Sequence, residues 1–338
     1  MRRPGAGRLT QRILVTGATG FIGRHLCAAL AAEGNEVVAV TRRRDAVAPP
    51  GGMVAFVNDL LDRDSVRSAL TGVTAVVHLA ARVHAKPEGA TDPGSECRRI
   101  NVDGTVALLE ESVAAGVKTF VYISSVKAVA GTSTRILDAQ TFPEPVDAYG
   151  ASKLEAERRV RAIAMKEAVA APVLRLPAVY GPGMKGNLTR LFWAVDRGFP
   201  LPFGLVRNRR SFAYVGNVVA AIQALLSSPE AAHQTFYVSD GEDLSTPELI
   251  QRIGRALGKR PRMFPVPEVA FSAAGKLGGL LSRIAPFNLT GDSLSAVLGS
   301  LFVDSTTLRE TTGFVAPFSV DKGMSLTAEW YKATGAGR

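Results

Sequence analysis

The stretch Arg12-Ile13-Leu14-Val15-Thr16-Gly17-Ala18-Thr19-Gly20-Phe21-Ile22-Gly23 decides the fold. A short apolar run ends abruptly at glycine, and apolar residues then recur at helical spacing over residues 21–33, stopping at Gly34. That is a buried strand, a tight turn and a helix closed by a glycine just past its end. Glycines at 17, 20 and 23 permit the turn and let backbone N–H groups approach a pyrophosphate at the positive end of the helix. A glycine triplet by itself also suits any strand-to-helix turn. Its place directly after the first strand of a β-α-β unit shifts the reading towards dinucleotide binding, with Gly17, Gly20, Phe21, Ile22 and Gly23 at the ligand.

Downstream the alternation continues. Strands are expected at residues 36–41, 54–57, 75–79, 119–124 and 172–176, and helices at 63–70 (capped by Asp62 or Asp64), 98–115 and 149–168. Such alternation implies parallel strands joined by right-handed crossovers, hence an α/β doubly wound parallel sheet. Past Gly181 the texture changes to shorter elements with denser glycine and proline. A smaller C-terminal substrate-binding domain is expected there, over 179–211 and 243–335, beside a nucleotide-binding domain of 10–178 plus 212–242. Residues 212–224 and 236–238 are expected to return to the main sheet. Residues 268–301, rich in Ala, Leu and Gly but broken by Lys276, Arg283 and Asp292, read as a buried amphipathic helix pair rather than a segment lying on a membrane.

The chain has 338 residues, 46% apolar and 21% charged, which suits a folded core without covalent staples. Cys27 and Cys97 have no metal-ligand spacing, so a reducing compartment is expected and no metal. The basic first dozen residues carry no apolar run, and no stretch approaches the roughly 18 uncharged apolar residues of a spanning helix. A cytoplasmic protein without stable membrane insertion follows as the expectation. The net charge of +10 is scattered, with small clusters at residues 42–44 and 207–210 and no aromatic-interleaved stripe. That pattern excludes nucleic acid as the favoured partner and leaves a solvated basic face or a diphosphate ligand.

The second strand ends at Thr41-Arg42, where a carboxylate would grip the ribose 2′-hydroxyl of NAD. An arginine there suits a 2′-phosphate, so the cofactor is NAD or NADP with the balance towards NADP; otherwise Arg42 to Arg44 simply face water. Asp59-Leu60, past the third strand, either borders the adenine or forms an ordinary turn. Tyr149 and Lys153 stand four apart on one helix face. A free phenol titrates near pKa ~10, and a neighbouring ammonium favours its ionised form, so it can exchange a proton with an alcohol near neutral pH. Ser124-Ser125 closes the fifth strand at the ligand-binding edge of such sheets. Asn101, mid-helix, either ties backbone together at the site or is a surface choice.

Gly17/Gly20/Gly23, Val77-His78-Leu79-Ala80-Ala81, Asn101-Val102-Asp103-Gly104-Thr105, Ser124-Ser125 and Tyr149-x-x-x-Lys153 occur in a joint order. Together they resemble the extended short-chain dehydrogenase/reductases of the nucleotide-sugar epimerase/dehydratase group, with a Rossmann fold. The resemblance runs from about Arg12 to Tyr331. It implies Ser125, Tyr149 and Lys153 as the catalytic triad, Lys153 also holding the nicotinamide ribose. It places Leu79, Ala80, Ala81, Asn101 and Pro177 along the cofactor. Gly186-Asn187-Leu188 and the segment 209–215 resemble those that contact a sugar diphosphate, which implies Asn187 and Arg210 as UDP-sugar ligands and Ser125 as a partner of the reacting oxygen. A homodimer is implied as well. Sugar 4,6-dehydratases carry an Asp-Glu pair where this chain has Val126-Lys127, so dehydration is not expected. Val129-Ala130-Gly131 replaces the Val-Tyr-Gly usual in galactose epimerases. The expected activity is redox at C4 of a UDP-hexose, favoured as reduction of a 4-keto-6-deoxy-N-acetylhexosamine, with 4-epimerisation on tightly bound NAD as the alternative and a non-catalytic nucleotide-binding subunit the least favoured.

Overall fold

The computed structural model describes residues 10–48, 52–83, 93–267, 271 and 297–336. In chain order the first elements are β1 (Arg12–Thr16), α1 (Phe21–Ala32), β2 (Glu36–Thr41), β3 (Gly52–Phe56), α2 (Arg63–Ala69) and β4 (Ala75–His78). They are followed by α3 (Pro93–Arg98), a π-turn (Arg99–Asp103), α4 (Gly104–Ala114), β5 (Thr119–Ser125), α5 (Ala148–Lys166), β6 (Val173–Leu176) and β7 (Ala178–Tyr180). Then come α6 (Asn187–Asp196), β8 (Arg210–Tyr214), α7 (Val215–Leu226), β9 (Thr235–Tyr237), β10 (Asp243–Leu244), α8 (Thr246–Leu257), α9 (Thr306–Thr312) and α10 (Val320–Thr334).

A seven-stranded sheet has the order β3-β2-β1-β4-β5-β6-β9. Pairing is parallel at β1/β2, β1/β4, β2/β3 and β4/β5, with Leu14 opposite Val38 on one side and Val76 on the other. Parallel strands are covered on both faces, which is why β1, β2 and β4 are near-continuous apolar runs. The winding reverses between β1 and β4, and the crevice at the carboxyl ends of these two strands is where such sheets bind ligands. The fold is therefore the doubly wound α/β type.

Contacts divide the chain into two compact units: Met1–Ile123, Glu155–Val173 and Leu225–Gln234 make one, and Ser124–Leu154, Leu174–Ala224 and Thr235–Arg338 the other. The first has a core of Leu14, Val38, Val76, Phe120, Tyr122 and Val160 with their neighbours. Cys27 and Cys97 are both buried free thiols. In the second, β10-β8-β7 form a separate three-stranded sheet, and Val126, Val129, Leu137, Tyr237, Leu301 and Val303 cluster.

Several expectations are corrected. Residues 212–224 do not return to the main sheet. Phe212 lies in β8, paired with β7 and β10, and only the 236–238 strand joins the main sheet, as β9. The helix expected over 98–115 is broken by the π-turn at Arg99–Asp103. The third strand begins two residues early, because Gly52 and Met53 pair with Val37 and Val38 at the sheet edge, where little burial marks them. Asp62, not Asp64, caps α2, accepting from Ser65 N at 3.4 Å. The helix pair expected over 268–301 lies outside the described residues apart from Phe271 and 297–301. Among the described residues no helix is long and apolar enough to cross a membrane.

A half-buried carboxyl organises the second unit. Asp240 accepts from Tyr180 Oη at 2.8 Å, from Tyr214 N at 2.7 Å and from Asn217 Nδ2 at 2.7 Å. Asn217 in turn holds the backbone of Phe318 on both sides. Burial pushes the Asp240 carboxyl above its ordinary value, and these three donors only partly offset it. A carboxyl raised in the folded state binds a proton that the unfolded chain has released. Its stabilising contribution is complete below the unfolded pKa and is lost as pH rises through the folded one. Urea midpoints measured from pH 4 to pH 7 are expected to fall more steeply for the wild type than for Asp240→Asn.

Candidate active site

The first unit carries a cleft of about 420 Å³ at the switch point, within the size range of cofactor sites. Gly17, Gly20, Arg42, Asp59, Leu60, Leu79, Ala80 and Ala81 line it, together with Thr19, Asn58, Arg82, Arg99 and Ile100, which sequence reasoning did not single out. Gly17 has φ 67°, and a Cβ there would lie 3.0 Å from Ala80 N, so only glycine keeps this wall open. Gly20 is the N-cap of α1. No side chain caps the helix and its first turn holds no acidic residue, so its N–H groups and positive end are left for an anion. Gly23 plays a different part, since a Cβ there would sit 2.2 Å from Gly17 O and its bareness lets helix and loop pack together. Phe21 and Ile22 are half-buried in the first turn. A backbone cradle that any side chain would fill, at an uncapped helix start, fits a dinucleotide pyrophosphate.

At the far end Arg42 is exposed on the cleft rim. Asp59 forms an ion pair with Arg99 and accepts from Leu61 N at 3.1 Å. Burial raises the Asp59 carboxyl, but the Leu61 N–H and the Arg99 guanidinium outweigh it and hold the group below its ordinary value. Behind the glycine turn runs a directional set of hydrogen bonds. Ala80 N donates to Thr16 Oγ1 at 3.1 Å, Thr16 Oγ1 meets His78 Nδ1 at 2.7 Å, His78 Nε2 meets Thr105 Oγ1 at 2.8 Å, and Thr105 donates to Asn101 O at 2.7 Å. Each hydroxyl has one proton, so the order is consistent with a neutral His78 protonated at Nε2. The Asn101 side chain accepts from Arg82 N at 2.8 Å and donates to Arg82 O at 3.0 Å. The strand exit 79–82 is thus tied to the π-turn.

The three residues expected as a catalytic triad belong to the second unit. Ser125 ends β5, half-buried, with its Oγ accepting from Lys127 N at 3.2 Å, while Ser124 points into the interior. Tyr149 is the second residue of α5 and half-buried; Lys153, one turn on, is 2% exposed. A buried ammonium on the face shared with a phenol has the placement needed to favour the phenolate. Pro177 is buried between β6 and β7.

Arg210, on β8, donates from Nη1 to Gly299 O at 2.8 Å. No carboxylate among the described residues pairs with it, and burial alone lowers its pKa to about 10. Its neighbour Arg209 is neutralised by Asp243 at 2.9 Å. Asn187 is the exposed first residue of α6, whose N-cap Gly186 (φ 88°) supplies no side-chain cap.

Residues 13–238 match the model of the NAD dependent epimerase/dehydratase family. The chain belongs to that family. Among its relatives, a UDP-glucose 4-epimerase of Vibrio cholerae is 34% identical over 329 residues, covering 96% of this chain and 97% of the relative. The structure of MoeE5 in complex with UDP-glucuronic acid and NAD is similar at TM-score 0.75 and 28% identity, over 96% of this chain and 99% of that one. The UDP-glucose 4-epimerase of Thermus thermophilus, complexed with NAD, is similar at TM-score 0.74 and 26% identity, over 95% and 99% of the two chains.

As a member of this family the protein is an NAD-dependent enzyme, and its glycine cradle is the part most exposed to test. Gly17→Ala places a methyl against Ala80 N and forces an L-residue to φ 67°. Dinucleotide affinity, measured by fluorescence titration, is expected to fall by about tenfold or more from strain on the order of 1–2 kcal/mol.

Proposed function

We propose that the protein reduces the 4-keto group of a UDP-linked 4-keto-6-deoxy-N-acetylhexosamine. The observation that carries the nucleotide-sugar part is Arg210, a half-buried guanidinium held by the Gly299 carbonyl and with no carboxylate partner among the described residues. A half-buried cation without a counter-ion suits an anion, and a planar fork matches a phosphate pair. A reductase of small uncharged ketones has no use for it.

In this reading Arg210 and Asn187, the latter at the opening of α6, both contact the sugar diphosphate. Ser125 donates a hydrogen bond to the C4 oxygen. Tyr149 gives its proton to that oxygen as the carbonyl becomes an alcohol, and Lys153 stabilises the phenolate left behind. When bound, the nicotinamide supplies the hydride. The family's dinucleotide is NAD, and Arg42, at the rim where an acidic side chain would select its 2′-hydroxyl, supports this chain accepting the 2′-phosphorylated form, NADPH, as donor.

A second reading, a 4-epimerase that retains its NAD, is favoured by the name of the Vibrio cholerae relative. The two separate in one pair of assays. Reduction of UDP-4-keto-6-deoxy-N-acetylhexosamine with loss of NADPH absorbance is expected, without interconversion of UDP-N-acetylglucosamine and its C4 epimer when no cofactor is added. The opposite pair of results replaces the reductase with the epimerase. Tyr149→Phe is expected to lower kcat by about 10²-fold or more while leaving dinucleotide affinity unchanged.

Cofactor choice has its own test. Arg42→Ala is expected to weaken NADPH by about tenfold or more, the worth of a charge-assisted hydrogen bond, and to leave NADH nearly untouched in isothermal titration. Equal weakening of both would remove Arg42 from 2′-phosphate recognition.

A further inference from the structure

The segment leaving β5 and the start of α5 meet at two points, both on Lys127, whose backbone N–H also reaches back to Ser125. The Lys127 N–H donates to Ser125 Oγ at 3.2 Å. Its ammonium reaches Asp147 Oδ2 at 2.6 Å. Its carbonyl lies so close to α5 that a Cβ on Gly150 would be 2.2 Å from the oxygen. The other oxygen of Asp147, Oδ1, accepts from Gly150 N at 2.6 Å and so caps the helix that carries Tyr149 and Lys153. One carboxylate therefore binds the residue two places after Ser125 with one oxygen and the residue next to Tyr149 with the other. Ser152 Oγ, donating to Tyr149 O at 2.7 Å, adds a local contact within the same turn.

We propose that the Lys127–Asp147 pair is a positioning device that sets the Ser125 hydroxyl against the Tyr149 turn, acting through Ser125 and not on the substrate. The inference rests on the reading of Ser125, Tyr149 and Lys153 as the catalytic triad. The pair is about half exposed, with side chains at 47% and 36% accessibility, so its Coulomb attraction is screened and adds little to global stability. Geometry responds differently. Proton exchange and hydrogen bonding to a single oxygen tolerate little displacement, and a shift on the order of 1 Å at a catalytic group can cost about 10²-fold in rate. The pair thus matters for turnover more than for folding. It also gives Lys127, standing where dehydratases have an acid, a structural role of its own.

The test is a variant set assayed with UDP-4-keto-6-deoxy-N-acetylhexosamine and NADPH, or with UDP-N-acetylglucosamine if the epimerase assay is the positive one. Lys127→Met is expected to lower kcat by about 10- to 100-fold with KM and the unfolding midpoint nearly unchanged. Lys127→Arg, which keeps the charge, should recover most of the loss. Asp147→Asn keeps a capping oxygen and should reproduce the Lys127→Met loss, carrying the test alone if Lys127→Met does not fold. The double variant should be no worse than either single one. In a Ser125→Ala background, Lys127→Met should remove nothing further. Wild-type kcat in Lys127→Met, full additivity in the double variant, or a loss that persists in the Ser125→Ala background overturns the proposal. Tyr149→Phe, run alongside, separates the two levels. If it stays fully active, triad and positioning pair fall together; if it is inactive while Lys127→Met is normal, only the pair falls.

Discussion

Backbone lying directly on backbone is the constraint from which the rest of this structure follows. Gly17, at the end of β1, turns left-handed against Ala80, and Gly23 brings α1 down onto the Gly17 carbonyl at a separation no methyl group would tolerate. The uncapped start of α1 is thereby fixed over the crevice where β1 and β4 diverge. Without these contacts the helix would stand off from the sheet, and its N–H groups would meet water in place of a phosphate. The same device recurs at Gly150, where a bare Cα admits the Lys127 carbonyl. Both halves of the chemistry are built by omitting side chains.

Much of this was legible in the sequence because the physics involved is local. β1 and β2 are short apolar runs bounded by turn residues, and their limits match the expectation to the residue. The helix after the glycine turn ends where Gly34 takes its positive φ. Edges that depend on distant partners were not legible. Gly52 and Met53 become strand only because β2 offers them a register, and residues 212–214 resemble any other short apolar strand until β7 pairs with them. The π-turn at Arg99–Asp103 has no periodicity signature that separates it from an ordinary helix.

Candidate site residues divide the same way. Glycine loop, phenol and ammonium stand at fixed short spacings, so sequence alone placed them on one turn or one helix face. Asn101 was readable as an anomaly, an amide inside a helix, but its partner Arg82 was not. His78 was not singled out, since nothing nearby in sequence shows that Thr16 and Thr105, 62 and 27 residues away, close on its two nitrogens. Arg99 and Lys127 were visible as charges, whereas their counter-ions Asp59 and Asp147 come from 40 and 20 residues off. Long-range pairing of charges leaves no mark in a single chain's pattern.

Arg210 has a consequence for how tightly an anion can be held there. Most surface arginines must shed a hydration shell when a phosphate arrives, and that cost cancels much of the attraction. Arg210 is half-buried, so folding has already removed part of that shell, and a carbonyl contact stands where no carboxylate among the described residues competes. Under the proposed reading, an arriving diphosphate would meet a charge that is already oriented and partly dehydrated. If the diphosphate of the proposed substrate does rest there, its second phosphate would count for more than on a fully hydrated surface.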